Sequence, residues 1–234
     1  MADKIVAVDF SGTLIRPFVA ESANLKRYSI LGIPAPTEEE HKSMHSTKSH
    51  YDIIRNHISS KFGIEDGMKI SYIRNYGHET ELSGSDIKTM IMTDLFRNSM
   101  YLVAKEQGKD IYQDGMLDAL KKIQERGYKL AIVSGIRKDI ISGMLAITRC
   151  PVSFDYIYGQ DPVLSKDDNK QLNDELSGKG SIEYIIGDKM SDLEPAKQLG
   201  AKSIFFRGGH ATGGEEEFAD YSVDSAGELL GIIN

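Results

Sequence analysis

The sequence predicts an α/β fold of three layers, a parallel sheet between two layers of helices, with an all-helical domain inserted after the first strand. Two observations indicate the sheet: a short β-branched run at residues 5–8 (IVAV), and an alternation of helical and strand patterns from Asp110 onward. A third observation indicates the insertion. From about residue 18 to residue 107 the apolar residues recur at helical spacing, without a convincing buried strand.

The first strand ends at Asp9, and a tight turn, SGTL, follows before Arg16-Pro17 interrupts the regular structure. Residues 5–8 show no polar alternation, which is typical of a strand buried on both faces. Asp9 therefore lies at the carboxyl end of that strand, the edge where open α/β sheets bind their ligands. Aspartate is also a common turn residue, so the strand alone leaves both interpretations open.

Two helical segments are evident in the insertion. Residues 38–62 carry apolar or aromatic side chains at helical spacing, and residues 86–106 repeat the pattern. Prolines and glycines mark the connections. We therefore expect a helical cap domain over residues 18–107 and a core domain built from residues 1–17 and 108–234.

The core is expected to alternate helix and strand, which gives a parallel sheet with right-handed crossovers. The first strand must join this sheet, which makes the helical segment an insertion into one α/β domain. Helices are predicted over residues 113–126, 138–147, 167–176 and 192–199, and strands over residues 129–133, 154–158, 182–186, 203–206 and 221–223.

The composition excludes several classes of protein. The formal net charge of −7 and the pI near 5.4 disfavour nucleic-acid and membrane partners, because neither anionic surface would meet a basic field. The single cysteine, Cys150, cannot form an internal disulfide, which favours a cytoplasmic location. We see neither a signal peptide nor a transmembrane segment. The oligomeric state is left open.

Three predicted strands end on small polar or acidic residues. Asp9 follows the first, Ser134-Gly135 follows the strand at 129–133, and Asp188 follows the strand at 182–186, with Asp192 four residues later. Because the carboxyl ends of parallel strands meet at one edge of a sheet, we expect these groups in one crevice. Carboxylates suit a hard cation, and Mg²⁺ characteristically uses one or two of them together with a substrate phosphate.

These motifs in this order, DFSGTL, IVSG and GDKMSD around a helical insertion, resemble the haloacid dehalogenase superfamily of phosphotransferases, in its form with a helical cap after the first motif. The resemblance covers essentially the whole chain. It implies a Rossmann-like core and a Mg²⁺-dependent hydrolase that acts on a small phosphorylated metabolite through an aspartyl-phosphate intermediate.

The resemblance implies roles for the first motif. Asp9 corresponds to the nucleophile and to a metal ligand, and Gly12 and Thr13 correspond to the turn that contributes to substrate binding. The backbone amides around Phe10 and Ser11 correspond to groups that neutralise charge on the transferred phosphoryl group. The family also takes a metal ligand from the backbone carbonyl at the position of Ser11.

The later motifs complete the implied site. Ser134, with Gly135, corresponds to the phosphate-binding position at the end of a strand. Asp188 and Asp192 correspond to the acidic pair that binds Mg²⁺ or supports its ligands. The implied phosphate-binding lysine is Lys166, which follows Phe154-Asp155 by about the family's spacing but lacks the proline that often follows it. Lys170 and Lys179 are alternatives.

Ser11 is the departure from the pattern, because the family has its general acid/base aspartate at this position. A hydroxyl can orient water but cannot act as a carboxylate base near neutral pH. Loss of general acid/base assistance costs on the order of 10²–10⁴ in rate. Three outcomes are open: a slow phosphatase, a substrate whose leaving group needs no proton, or a catalytically weakened protein that binds a phosphorylated ligand or partner.

The second outcome has a precedent in enzymes that resemble phosphonoacetaldehyde hydrolase, which have a small residue at this position and a cap lysine that forms a Schiff base. Lys48 is the natural candidate for that lysine and for a substrate contact.

Two other features have weaker interpretations. Glu38, His41 and His45 have zinc-like spacing but are better explained as a polar helix face. The glycine-rich segment 207–214 is expected to be a mobile loop bordering the site.

Overall fold

The structure, a computed structural model, describes residues 3–37, 49–73, 79–160, 178–211 and 213–234. The chain divides into two compact units, one made of Met1–Ala20 with Tyr101–Asn234 and the other of Glu21–Met100. Within the ranges given above, no helix combines the length and the apolar character that crossing a membrane requires.

The strands, in chain order, are β1 (Lys4–Val8), β2 (Lys69–Ile73), β3 (Glu79–Ser83), β4 (Lys129–Arg137), β5 (Tyr156–Gln160), β6 (Ser181–Gly187), β7 (Lys202–Phe206) and β8 (Tyr221–Val223). The α-helices are α1 (Phe18–Leu31), α2 (Ser49–Phe62), α3 (Gly84–Gln107), α4 (Met116–Glu125), α5 (Lys138–Ile147), α6 (Met190–Leu199), α7 (Glu215–Phe218) and α8 (Leu229–Ile232). Short 3-10 helices cover Gly108–Ile111 and Ala226–Glu228.

In the described part of the first unit, six strands form one parallel sheet in the order β5-β4-β1-β6-β7-β8, flanked by helices. This confirms the predicted α/β fold. β1 lies inside the sheet, where Val8 pairs with Ile132 of β4 on one side and Ile186 of β6 on the other. Its residues 5–8 are fully buried, as an apolar run without alternation predicts.

The strand before Ser134 is longer than predicted. β4 continues to Arg137, whereas the sequence pattern predicts an end at residue 133. Its pairing with β5 shifts in register between Ser134 and Arg137, so the extension is irregular. The apolar run marks only the regular part of the strand, because the extension is held by pairing to β5 and not by burial.

The second unit corrects the expectation of an all-helical insertion. It contains α2 and most of α1 and α3, whose buried residues Tyr28, Leu31, Ile54, Ile58 and Met92 form a core, but it also contains an antiparallel pair, β2 and β3. Ile70 pairs with Leu82, and Lys69 Nζ lies 2.8 Å from Glu81 Oε1 across one end. The two strands are short and partly exposed. Their sequences therefore contain too few apolar residues to predict a buried strand.

Candidate active site

Asp9 directly follows β1 and begins a tight turn. Its N–H donates to the carbonyl of Ile186 at 2.9 Å, which extends the pairing of β1 with β6 by one residue. The turn is closed by the N–H groups of Leu14 and Ile15, which donate to the carbonyls of Asp9 (3.1 Å) and Phe10 (2.8 Å). Asp9 is only 7% exposed, so its carboxylate is buried at the carboxyl edge of the sheet.

Asp188 and Asp192 come from the connection between β6 and α6. Asp188 directly follows β6 and is fully buried. Asp192 lies in the first turn of α6, where its carboxylate accepts a hydrogen bond from the N–H of Lys189 at 3.0 Å. This contact caps the start of the helix and fixes the orientation of the Asp192 carboxylate.

The carboxylates of Asp9, Asp188 and Asp192 offer oxygens that all lie within 4.8 Å of one another. Burial, then the charges of Asp192 and Asp188, raise the pKa of Asp9 well above its usual value, although hydrogen bonds from the Phe10 N–H and the Ser134 hydroxyl oppose the shift. Burial and the charge of Asp188 raise the pKa of Asp192 to about 6. The donors and charges around these two carboxylates therefore do not offset their burial and mutual repulsion.

Asp188 behaves differently because protein groups support its charge. The hydroxyl of Thr13 donates to Oδ1 at 3.1 Å, and the N–H of His210 donates to Oδ2 at 2.5 Å. The Nδ1 atom of His210 lies 3.3 Å from the same Oδ2 atom. Burial acts to raise the pKa of Asp188, but His210 and the charge of Lys189 outweigh it, and the net shift is downward. Asp188 is thus held as a carboxylate.

Ser134 lies close to Asp9, as the sequence predicts, because its hydroxyl lowers the pKa of the Asp9 carboxyl group. Gly135 follows Ser134 in the irregular extension of β4. Ser11 is half-buried in the turn after Asp9. Thr13, predicted to contribute to substrate binding, is fully buried, and the observed contact of its hydroxyl is with Asp188.

Gln113 has no counterpart in the sequence prediction, whereas His210 lies in the glycine-rich segment that was predicted to border the site. His210, from the glycine-rich segment after β7, contacts Asp188, and Gln113, from the turn before α4, donates through Nε2 to the carbonyls of Gly12 (2.9 Å) and Gly208 (3.0 Å). His210 thus borders the site, as was predicted for the 207–214 segment. Gln113 lies in no motif, and the signal for His210 in the sequence was the glycine-rich segment 207–214 around it.

Glycines let the backbone approach these carboxylates. A Cβ atom would lie 2.3 Å from Asp188 Oδ2 if placed on Gly12, 2.2 Å from Asp188 Cβ if placed on Gly209, and 2.3 Å from Asp192 Cβ if placed on Gly187. Real Cβ atoms essentially never come this close. The acidic cluster therefore depends on these three positions having no side chain.

The cluster fits Mg²⁺ by the chemistry of its donors. Three carboxylates from Asp9, Asp188 and Asp192 meet at one point, and all donors are oxygens, the ligand type that a hard divalent cation requires. Burial, and then repulsion between the carboxylates, raises the pKa values of Asp9 and Asp192, and a cation at this point would offset that repulsion. Asp9, Asp188 and Asp192 are the residues that would hold it.

The predicted lysines are not all in the described part of the chain. Lys48, Lys166 and Lys170 lie outside it, as do the group Glu38, His41 and His45 and the helix predicted over 167–176. Lys179 is described, and it is exposed just before β6, where the N–H of Ser181 donates to the carbonyl of Asp3. That is the amino edge of the sheet, about 16 Å along the strand direction from Asp9, so Lys179 does not belong to the site.

Comparisons with known proteins agree with the α/β fold. The family model described as haloacid dehalogenase-like hydrolase matches residues 42–206. The match begins after Asp9 and covers more than half of the chain. Curated protein sequences gave no match.

Solved structures share the fold over the whole chain. A haloacid dehalogenase-like family protein from Streptococcus pneumoniae is 16% identical, with a TM-score of 0.64 and 99% of each chain covered. YfnB from Bacillus subtilis, solved with bound magnesium, is 15% identical, with a TM-score of 0.65 and 100% of each chain covered. CbbY from Rhodobacter sphaeroides, solved in complex with xylulose-1,5-bisphosphate, is 19% identical, with a TM-score of 0.61 and coverage of 98% of this chain and 96% of that chain.

Proposed function

The chain belongs to the haloacid dehalogenase-like hydrolases, and from this premise we propose that it is a Mg²⁺-dependent phosphohydrolase that acts on a small phosphorylated metabolite. The observation that carries the proposal is the cluster of three acidic residues, with Asp9 at the end of the central strand and carboxylate oxygens within 4.8 Å. The complexes of YfnB with magnesium and of CbbY with a sugar bisphosphate support the proposed cofactor and class of substrate.

In the proposed reaction, Asp9 is the nucleophile. An oxygen of its carboxylate forms a bond to phosphorus while the ester P–O bond breaks and the leaving oxygen takes up a proton from solvent. Water then attacks phosphorus and gives up a proton to solvent while the P–O bond to Asp9 breaks, which releases inorganic phosphate and restores the carboxylate. When bound, Mg²⁺ would offset the repulsion among the three carboxylates and the charge of the phosphoryl group.

The surrounding residues position these groups. The Phe10 N–H and the Ser134 hydroxyl lower the pKa of Asp9, and we propose that both donate hydrogen bonds to the phosphoryl oxygens when substrate is bound. Lys166 remains the predicted positively charged partner of the phosphate. Within this proposal the unit Glu21–Met100 is a cap that selects the substrate.

Ser11 limits the rate in this proposal, because a serine supplies no proton to the leaving group and accepts none from water. An aryl phosphate with a stable leaving anion needs no proton in the first step, whereas an alkyl phosphate does. A catalytically weakened protein that binds a phosphorylated ligand is therefore the second candidate, favoured by this one residue. The phosphonatase-like route through Lys48 also stays a prediction.

The test is hydrolysis of p-nitrophenyl phosphate and of an alkyl phosphate by wild type, Asp9→Asn and Ser11→Asp, with Mg²⁺ and with excess chelator. We expect Mg²⁺-dependent turnover by wild type and a loss on the order of 10⁴ or more in Asp9→Asn. Ser11→Asp should raise alkyl phosphate hydrolysis by about 10²–10⁴. If wild type and Ser11→Asp are both inert while folded and able to bind Mg²⁺, the phosphohydrolase proposal is wrong and the binding protein is favoured.

A further inference from the structure

Asp188 is held from both sides by segments that are far apart in the chain. The Thr13 hydroxyl, from the turn after β1, donates to Oδ1, and the His210 N–H, from the loop after β7, donates to Oδ2. Each oxygen of the carboxylate thus has a protein donor of its own. The orientation of Asp188 therefore depends on the separation between these two segments.

Gln113 connects the same two segments. A glutamine side-chain amide has two N–H groups, and the amide nitrogen of Gln113 lies within hydrogen-bonding distance of two carbonyls, 2.9 Å from that of Gly12 and 3.0 Å from that of Gly208. Gly12 precedes Thr13, and Gly208 is two residues before His210. The backbone N–H of Gln113 also donates to the Leu14 carbonyl at 3.1 Å, which fixes Gln113 against the turn.

These contacts form a closed ring that runs from Asp188 through Thr13 and Gly12 to Gln113, and returns through Gly208 and His210. The ring has no spare room, since a Cβ atom on Gly12 or Gly209 would overlap Asp188. We propose that Gln113 is a positioning residue that keeps the turn and the loop at the separation that orients Asp188, and thereby sets how tightly the site binds Mg²⁺. This inference rests on the proposed function, because it concerns the same cation site.

The physical reason is preorganisation. Both oxygens of the Asp188 carboxylate already accept hydrogen bonds from the protein, so the carboxylate is oriented before a cation binds. A carboxylate that is free to rotate would lose conformational freedom on binding the cation, and that loss would weaken binding. Groups that orient metal ligands through hydrogen bonds typically contribute about 10–100-fold in metal affinity.

The experiment is titration calorimetry of Mg²⁺ into the full chain, without substrate, for wild type, Gln113→Met and Gln113→Glu. Met removes both donors at similar length, and Glu places an acceptor against two carbonyls. We expect the Kd for Mg²⁺ to rise about 10–100-fold in both variants. Thermal unfolding without Mg²⁺ serves to show that each variant is folded.

Gln124→Met is the matched control. Gln124 also donates through Nε2 to a backbone carbonyl, that of Ser153 at 2.6 Å, and Asp155 two residues later is held at the amino edge of the sheet by Leu130. The Gln124→Met variant should bind Mg²⁺ with a Kd within about twofold of wild type, a much smaller change than removal of a metal-orienting group causes. The inference alone is overturned if wild type binds Mg²⁺ and Gln113→Met binds it equally well, or if Gln124→Met weakens binding as much. If wild type binds no Mg²⁺, the cation-dependent function and the inference both fail.

Discussion

Single residues around Asp188 show how tightly this site is packed. Gly209 has no positive backbone φ angle, yet its missing side chain matters because a Cβ atom would lie 2.2 Å from Asp188 Cβ and 2.3 Å from Oδ2. Both contacts are with a fully buried residue whose two oxygens are held by Thr13 and His210. Asp188 cannot move aside without losing one of these donors. The identity of residue 209 is thus set by its neighbour and not by its own conformation.

Gly209→Ala is therefore expected to lower the free energy of unfolding by about 1–3 kcal/mol, the usual cost of overpacking, and to weaken Mg²⁺ binding. Urea denaturation and Mg²⁺ titration measure the two effects. Gly231→Ala is the control, because a Cβ atom there meets nothing within 4 Å. A Gly209→Ala variant as stable as Gly231→Ala would show that the loop accommodates a side chain.

At the scale of elements, the same contact between an aspartate and the neighbouring strand occurs twice at the amino edge of the sheet. Asp155 precedes β5, accepts the Leu130 N–H at 3.0 Å and lies 2.9 Å from Lys129 Nζ at the start of β4. Asp220 precedes β8 and makes the equivalent contacts with the Ser203 N–H (2.9 Å) and Lys202 Nζ (3.2 Å) at the start of β7. In each case an aspartate before one strand fixes the register of its neighbour.

The contacts of Asp220 predict that the free energy of unfolding depends on pH. The Ser203 N–H, with Lys202 and the Ser203 hydroxyl, outweighs burial and lowers the pKa of Asp220 below its usual value. A carboxyl group whose pKa is lower in the folded state stabilises the protein above its unfolded-state pKa, and this contribution is lost as the pH falls through the folded-state pKa. Asp220→Asn should therefore reduce the free energy of unfolding at neutral pH, by about 0.5–1 kcal/mol given the partly exposed side chain.

The measurement is urea denaturation of wild type and Asp220→Asn across a pH series. The difference between the two proteins should be constant from neutral pH to about pH 5 and should shrink below about pH 4. Lys202→Met separates the contribution of the ion pair from that of the Ser203 N–H. A difference that stayed constant, or grew, as the pH fell would contradict this account of Asp220.

At the scale of the whole molecule, the side chains of Arg126, Tyr128 and Tyr184 hold residues 230–234 against the rest of the first unit. Arg126, after α4, donates through Nη1 to the carbonyls of Leu230, at 2.8 Å, and Ile233. The hydroxyl groups of Tyr128 and Tyr184 donate to the carbonyls of Asn234 (3.0 Å) and Ile232 (3.3 Å). Carbonyls at the end of a helix lack partners within the helix, and these donors satisfy them.

Arg126→Met is expected to lower the free energy of unfolding by about 1–2 kcal/mol, because one charged donor serves two carbonyls. Lys122→Met, on the exposed side of α4, is the control and should change stability by less than about 0.5 kcal/mol. Urea denaturation compares the two variants. Equal effects would mean that the contacts of Arg126 with residues 230–233 add nothing to stability.

The sequence by itself determined the parallel sheet and the acidic residues at its edge. Residues 5–8 and the later apolar runs are local signals, and the rule that parallel strands share a carboxyl edge turned three separate strand ends into one predicted site. Asp9, Ser134, Asp188 and Asp192 could all be chosen this way. The β2–β3 pair could not, because it is short and only partly apolar.

Only the tertiary structure decided which residues surround Asp188. The contacts of Gln113 with Gly12 and Gly208 join segments about a hundred residues apart, and His210 reaches Asp188 from a different loop. No periodicity or motif marks such contacts, because a hydrogen bond between distant segments depends on how the chain folds and not on neighbouring residues. The carboxylates follow from local sequence, whereas their orientation and charge state follow from packing.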